Sequence, residues 1–307
     1  MPSFVHLYIL SPLPLFLTKH FIKLPTLNPL FSPLNLHNFH PNYNYLHSKF
    51  VIKMGSDGND SLSLDSIRKT LIGLEDTIVY SLIERSKLPL NSLAYQSSPF
   101  PGGFHGSLME FLVKGTESVQ AQGGRYQSPE EVPFFPDNLP PPFVHRPVNC
   151  WQGLPPAAAS VNVSKNIWDF YVNQFLPLLA AKGDDGNYAL SVASDLACLQ
   201  VISRRIHFGK YVAEVKFRNE TEAYTAAIRA KDKNTLMNLL TDSKVEAMVM
   251  QRVAKKATVF GQEVTLNATS NSNNYKVDPS LVSRLYNEWV IPLTKDIEVE
   301  YLLRRLD

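Results

Sequence analysis

The stretch Ser203-Arg204-Arg205-Ile206-His207-Phe208-Gly209-Lys210-Tyr211-Val212-Ala213-Glu214-Val215-Lys216-Phe217 decides how this chain is read. It sets cations on a strongly apolar segment, where an unpaired charge is costly to bury. Leu196, Leu199, Ile202, Ile206, Tyr211, Val212 and Val215 recur mostly at helical steps, so the spacing predicts a long buried helix that begins near Asn187. On it, Arg205 and Lys216 return to nearly the same face at about 100° per residue and stand roughly 16 Å apart along the axis. Two long cations converging from one inward face suit a compact polyanion.

Helical patterning extends to both sides of this segment. Ile67, Leu71, Leu74, Ile78, Leu82 and Ile83 form an apolar stripe over Ser63 to Ser86, with Ser63 as a plausible N-cap and Asp65 in the first turn. Pro89, Pro99, Pro101 and a Gly-Gly pair make 88–104 a loop, and a helix fits Gly106 to Gln122. Nine prolines between 129 and 156 exclude regular helix over most of that span, which reads as a long surface excursion, regulatory or packed across a subunit interface. Further helices fit Lys165–Leu179, Glu220–Ala230, Lys233–Leu240, Ser243–Phe260 and Pro279–Asp307, with Pro292 kinking or restarting the last. Asp184-Asp185 reads as a solvated helix entry. No convincing alternating strand is present, so the expected fold is all-α, a single large helical domain.

Composition narrows the function. The net charge of +2 is unevenly spread: residues 1–53 hold four lysines, no acids and five of the eight histidines, which leaves the remainder acidic overall. General nucleic-acid binding is therefore disfavoured, and no apolar run is long enough to span a bilayer. Cys150 and Cys198 make no disulfide framework, and no Cys/His cluster has zinc spacing. Residues 1–53 read as an unstructured extension, either a gene-model artefact with Met54 as the true start or a targeting segment; residues 54–307 form the domain. An acid-free stretch suits a plastid transit peptide, but this one has no arginine and only four serines. Spacing also offers two acid-bearing i,i+4 pairs, Asp242/Glu246 and Thr294/Glu298, which on spacing alone read as solvated surface.

Over nearly all of 62–307 the chain resembles the all-helical chorismate mutases of plants and fungi. The matching motifs include Ile67-Arg68, Glu75-Asp76-Thr77-Ile78, Leu82-Ile83-Glu84-Arg85-Ser86, Gly124-Arg125-Tyr126 and Pro133-Phe134-Phe135-Pro136. The most specific are the whole 203–217 segment and Ile291-Pro292-Leu293-Thr294-Lys295 followed by Glu300-Tyr301-Leu302-Leu303-Arg304-Arg305-Leu306. The resemblance implies an intramolecular isomerase that rearranges chorismate to prephenate in aromatic amino-acid biosynthesis, as a homodimer and without cofactor or metal. Such a pericyclic reaction needs a flexible dicarboxylate held in a near-attack shape and stabilisation of charge growing on the breaking ether oxygen. By the family pattern, Arg68 and Arg205 bind the two carboxylates, Lys216 donates to the ether oxygen, and Glu246 accepts from the ring hydroxyl. Thr294 and Glu298 complete the set, with Glu298 on the other side of the ether oxygen. Asp242 stands where some fungal members have asparagine, so its role is open. Arg204, His207 and Lys210 read as packing or salt-bridge residues, and Arg304 and Arg305 as cations favoured at a helix C-terminus.

In regulated relatives, tyrosine or tryptophan binds near an arginine and an Asn-x-Gly-Ser turn. Here Arg125 and Asn187 remain, but Ala189 and Leu190 occupy the Gly-Ser positions. These residues remove a close backbone approach and a hydroxyl, so the expectation is weak or absent control by aromatic amino acids, as in the cytosolic plant isoform. That favours cytosol over plastid. The rival reading is a catalytically inactive mutase-fold interaction protein; the retained Arg68, Arg205, Lys216, Glu246, Thr294 and Glu298 speak against it.

Overall fold

Side-chain caps and proline positions explain where most helices in the computed structural model begin. The structure describes residues 62–99, 103–144, 154–262 and 275–307, all within one unit, Gly55–Asp307. The expected extension over 1–53 lies outside the described residues. Helix α1 (Leu64–Ser86) starts where the Ser63 hydroxyl accepts from the Ser66 N–H, and α2 (Leu108–Gln122) opens on a full capping box between Ser107 and Glu110. Between them lie a short 3-10 turn, Ser92–Tyr95, and a two-residue antiparallel pairing of β1 (Ser98–Pro99) with β2 (His105–Gly106). A one-turn α3 (Pro156–Ala159) follows the Pro-rich excursion. Then come α4 (Ser164–Phe170) and α5 (Leu176–Leu179), joined by a π-helical turn over Tyr171–Phe175.

The expected long central helix has a joint. Helix α6 (Tyr188–His207) and α7 (Gly209–Asn219) meet at Phe208, which falls between Arg205 and Lys216. Backbone bonds continue across it, from Phe208 N–H to the Arg204 carbonyl at 3.0 Å and from Val212 N–H to the Phe208 carbonyl at 3.3 Å. The two cations therefore keep a common face. Helices α8 (Thr221–Arg229), α9 (Lys233–Leu240) and α10 (Ser243–Gly261) follow the expected spans, with Asp232 and Asp242 capping the last two. Among the described residues no helix is long and apolar enough to cross a membrane.

The expected break in the last helical run falls just before Pro292, which stands in the first turn of α12. There α11 (Pro279–Leu285) passes through a π-helical turn, Tyr286–Val290, into α12 (Ile291–Leu303), and the helix stops short of Asp307. A proline ring collides with the carbonyl four residues earlier. For Pro292 that carbonyl belongs to Glu288, inside the π turn. For Pro177 it belongs to Asn173, inside the first π turn. In each case that carbonyl lies in a π turn, where the α-helical i→i−4 pattern is already interrupted. The two π turns meet at Trp289, whose ring stacks on Phe170 at 5.5 Å and meets Phe175 edge-on at 6.0 Å.

The main core fills the space between α1, α6, the α4–α5 run and α10 to α12. A second cluster joins α7, α8 and α9 to the end of α12. Inside the first core, Arg85 and Asp195 form a fully buried ion pair at 2.6 Å, completed by Tyr171 Oη donating to Asp195 at 2.9 Å. Arg305 does not rest on a helix dipole as expected: it pairs with Glu214 through Nε and Nη2 at 2.5 and 3.1 Å. Lys210 is buried and donates to the Pro129 and Ala159 carbonyls at 2.8 and 2.9 Å, holding both ends of the Pro-rich excursion.

Candidate active site

A cavity of about 490 Å³ opens between α1, the α6–α7 joint, the end of α9, α10 and α12. Its lining contains all seven residues that the sequence nominated: Arg68, Arg205, Lys216, Asp242, Glu246, Thr294 and Glu298. Apolar side chains, among them Ile67, Leu71, Val212, Val249 and Ile291, make up the walls.

Arg205 is only 6 % exposed, and its Nε and Nη1 have no hydrogen-bond partner. A buried guanidinium with free donors is an expensive arrangement unless an anion completes it. Lys216 reaches the same cavity one helix later, its Nζ donating to the Leu240 carbonyl at 2.6 Å. That carbonyl ends α9, so the ammonium sits at the negative end of a helix dipole. Thr294 Oγ1 donates to the Val290 carbonyl at 2.6 Å. Glu246 lies 3.1 Å from Lys295.

Glu298 is buried among these groups at 5 % exposure. Burial pushes its carboxyl up to about 7, while the charges of Lys216, Arg205 and Lys295 pull it back. Asp242 is the N-cap of α10, where its Oδ1 accepts from the Lys244 and Val245 N–H groups, both at 3.1 Å. Arg68 is placed differently from Arg205. It lines the rim rather than the interior, is 59 % exposed, and pairs with Asp65 at 3.3 Å one turn back on α1.

Three charged lining residues were not nominated: Glu75, Arg252 and Lys295. Glu75 is fully buried and takes Arg252 Nε and Nη2 at 2.8 and 2.7 Å, with Lys256 at 3.0 Å behind it. Glu75 and Lys295 lie within matching motifs, and Arg252 continues the helical stripe Val245, Val249. That stripe was the available signal. At the site expected to have lost effector binding, Arg125 is engaged, its Nε with Glu131 at 2.9 Å and its Nη1 with Gln200 Oε1 at 2.6 Å. Asn187, Ala189 and Leu190 open α6 with their surfaces in solvent.

The family model for chorismate mutase type II matches residues 191–299, which span Arg205 through Glu298. Chorismate mutase 2 of Arabidopsis thaliana is 56 % identical over 263 residues, covering 84 % of this chain and 98 % of the relative. Cytosolic chorismate mutase 2 of Zea mays is 51 % identical, covering 83 % and 100 %. Among solved structures, AtCM1 with tyrosine bound in its allosteric site superposes with a TM-score of 0.72 at 47 % identity, covering 82 % and 99 %. With such identity sustained along nearly the whole length of these relatives, the chain belongs to the chorismate mutase family.

Proposed function

We propose that this chain rearranges chorismate to prephenate in the cavity between α7, α10 and α12. The observation that carries the reading is Arg205, a buried guanidinium with two unpartnered donors facing an apolar-walled cavity. Arg205 takes one substrate carboxylate through its planar fork. Arg68 takes the other by leaving Asp65, an exposed pairing that costs little to break. Counted with Glu298 neutral, the lining holds five cations against three carboxylates, an excess suited to a dianion. The cavity walls then hold the substrate in a near-attack shape.

As the ether bond breaks, Lys216 donates to the oxygen that gains charge, and neutral Glu298 donates from the opposite side. Glu246, set by Lys295, accepts from the ring hydroxyl, and Thr294 with Asp242 completes the polar lining. No bond to the protein forms at any stage.

Two finer readings accompany this one. Control by aromatic amino acids is absent: Ala189 and Leu190 replace the small polar turn, and Arg125 is already held by Glu131 and Gln200. The protein is a cytosolic homodimer. Support comes from the cytosolic maize relative and from Phe111, Val119 and Leu190, large apolar side chains left more than half exposed on α2 and α6, which pack together. The plastid alternative rests on residues 1–53, outside the described residues.

The test is chorismate consumption by the full chain, with and without tryptophan and tyrosine. Prephenate formation that ignores both amino acids is expected, with turnover lowered about 10²- to 10³-fold in Lys216→Met. No turnover from folded protein sinks the reading, and a several-fold response to either amino acid sinks the unregulated part of it.

A further inference from the structure

Arg205, Gly209, Val212 and Lys216 follow one another at helical steps across the α6–α7 joint and form one stripe. Three of the four line the cavity; the glycine does not. Its position is buried, and its φ is not in the left-handed region, so the backbone there does not demand glycine. Glycine is also a poor helix former. The reason for it is space. A Cβ built on Gly209 would lie 3.0 Å from the Thr294 carbonyl oxygen, 3.1 Å from Thr294 Cγ2 and 3.3 Å from Glu298 Cγ. The first of these is backbone and cannot rotate away. By contrast, a Cβ on Gly73 of α1 or Gly115 of α2 would meet nothing within 4 Å.

Both groups that crowd Gly209 belong to the proposed catalytic set, and they sit on the helix that faces Arg205 and Lys216. We propose that Gly209 is a positioning residue for the rearrangement: its missing side chain lets α12 close onto α7, so that Thr294 and Glu298 stand opposite Arg205 and Lys216. The start of α12, one turn before Thr294, is held by the π turn at Tyr286–Val290 and the packing of Trp289 between Phe170 and Phe175. A methyl group at 209 therefore displaces the catalytic stretch of α12 by a few tenths of an ångström about that anchored start. Displacements of about 1 Å cost on the order of 100-fold in rate, so a smaller wedge is felt mainly in turnover.

This inference rests on the mutase reading, and the experiment separates the two. Full-chain Gly209→Ala is compared with wild type for kcat, KM, the pH dependence of kcat and thermal unfolding, with Gly115→Ala as a control. The expected result is a folded protein with kcat lowered about tenfold and KM changed less than about threefold. The pH midpoint should also move by about half a unit, because Glu298 shifts relative to the charges around it. Those are Lys216 on α7, Arg205 on α6, Lys295 on α12 and Glu246 on α10, with the Tyr224 phenol on α8.

Gly115→Ala should keep wild-type kinetics. If Gly209→Ala fails to fold, Gly209→Ala/Thr294→Ser, which removes the Cγ2 contact, is measured against Thr294→Ser alone, and a lower kcat with a displaced midpoint is the expected result. Wild-type kcat and an unmoved midpoint in the folded variant overturn the proposal, as does a loss that follows the folded fraction alone. A wild-type chain that does not turn over chorismate overturns the mutase reading instead.

Discussion

Glu298 behaves as a proton donor because of where it lies. Its carboxyl is buried and pushed up to about 7, so it is neutral below that pH and ionised above it. An anion beside an ether oxygen that is gaining charge opposes the reaction, whereas a neutral carboxyl donates to it. Turnover should fall as pH rises through about 7, and Glu298→Gln, whose amide donates at any pH, should flatten that limb. An unchanged profile in the variant would remove the idea. Folding is coupled to the same group. In the unfolded chain Glu298 ionises at its ordinary value, so stability declines as pH climbs from there to about 7. Glu298→Gln should accordingly gain Tm over wild type at pH 8 and lose that gain near pH 4, as read by thermal melts. Glu298 could be nominated from the family pattern. Its proton affinity could not, because burial comes from residues far away in the chain. Arg68 shows the same limit: the family pattern assigns it a carboxylate as it does Arg205, yet the face it occupies on α1 leaves it in solvent against Asp65.

At the scale of elements, local chemistry was largely readable. Ser63 caps α1 as its sequence reads, and the period of apolar residues outlines α1, α6 and α10; the caps Asp232 and Asp278 emerged only with the structure. Asp242 joins this scale to the site, since the helix it caps carries Glu246, Val249 and Arg252 along the cavity wall. Asp242→Ala should cost about 1 kcal/mol through the lost cap and raise KM as the first turn of α10 loosens. Asp242→Asn keeps an acceptor and should restore most of both, as measured by denaturant titration and steady-state kinetics. An Asn variant as impaired as the Ala variant would mean that the charge itself meets the substrate. The prolines were harder to read. Pro177 and Pro292 could each have ended a helix, and each instead follows a π turn that is held in place by Trp289. The outcome depends on what packs against the turn, which local sequence does not carry.

At the scale of the whole molecule, the exposed apolar side chains of α2 and the start of α6 predict association. Sedimentation of the full chain should give twice the 34.6 kDa of one protomer, and Val119→Asp with Leu190→Asp should shift it toward monomer. A wild-type monomer at micromolar concentration would exclude the homodimer. What the sequence determined by itself was the class of fold, the span of most helices and the identity of the cationic pair on one inward stripe. Helical period, caps and the 203–217 motif are local properties, each set by residues within a few turns of one another. Only the tertiary structure decided which of the matching residues face the cavity. It brought Glu75 and Arg252 together from 177 residues apart and raised Glu298 by burying it. It also explains why position 209 is a glycine, since the space there is limited by α12 rather than by any neighbour in the chain. Contacts between remote segments set burial, charge pairing and close approach, and no local pattern encodes them.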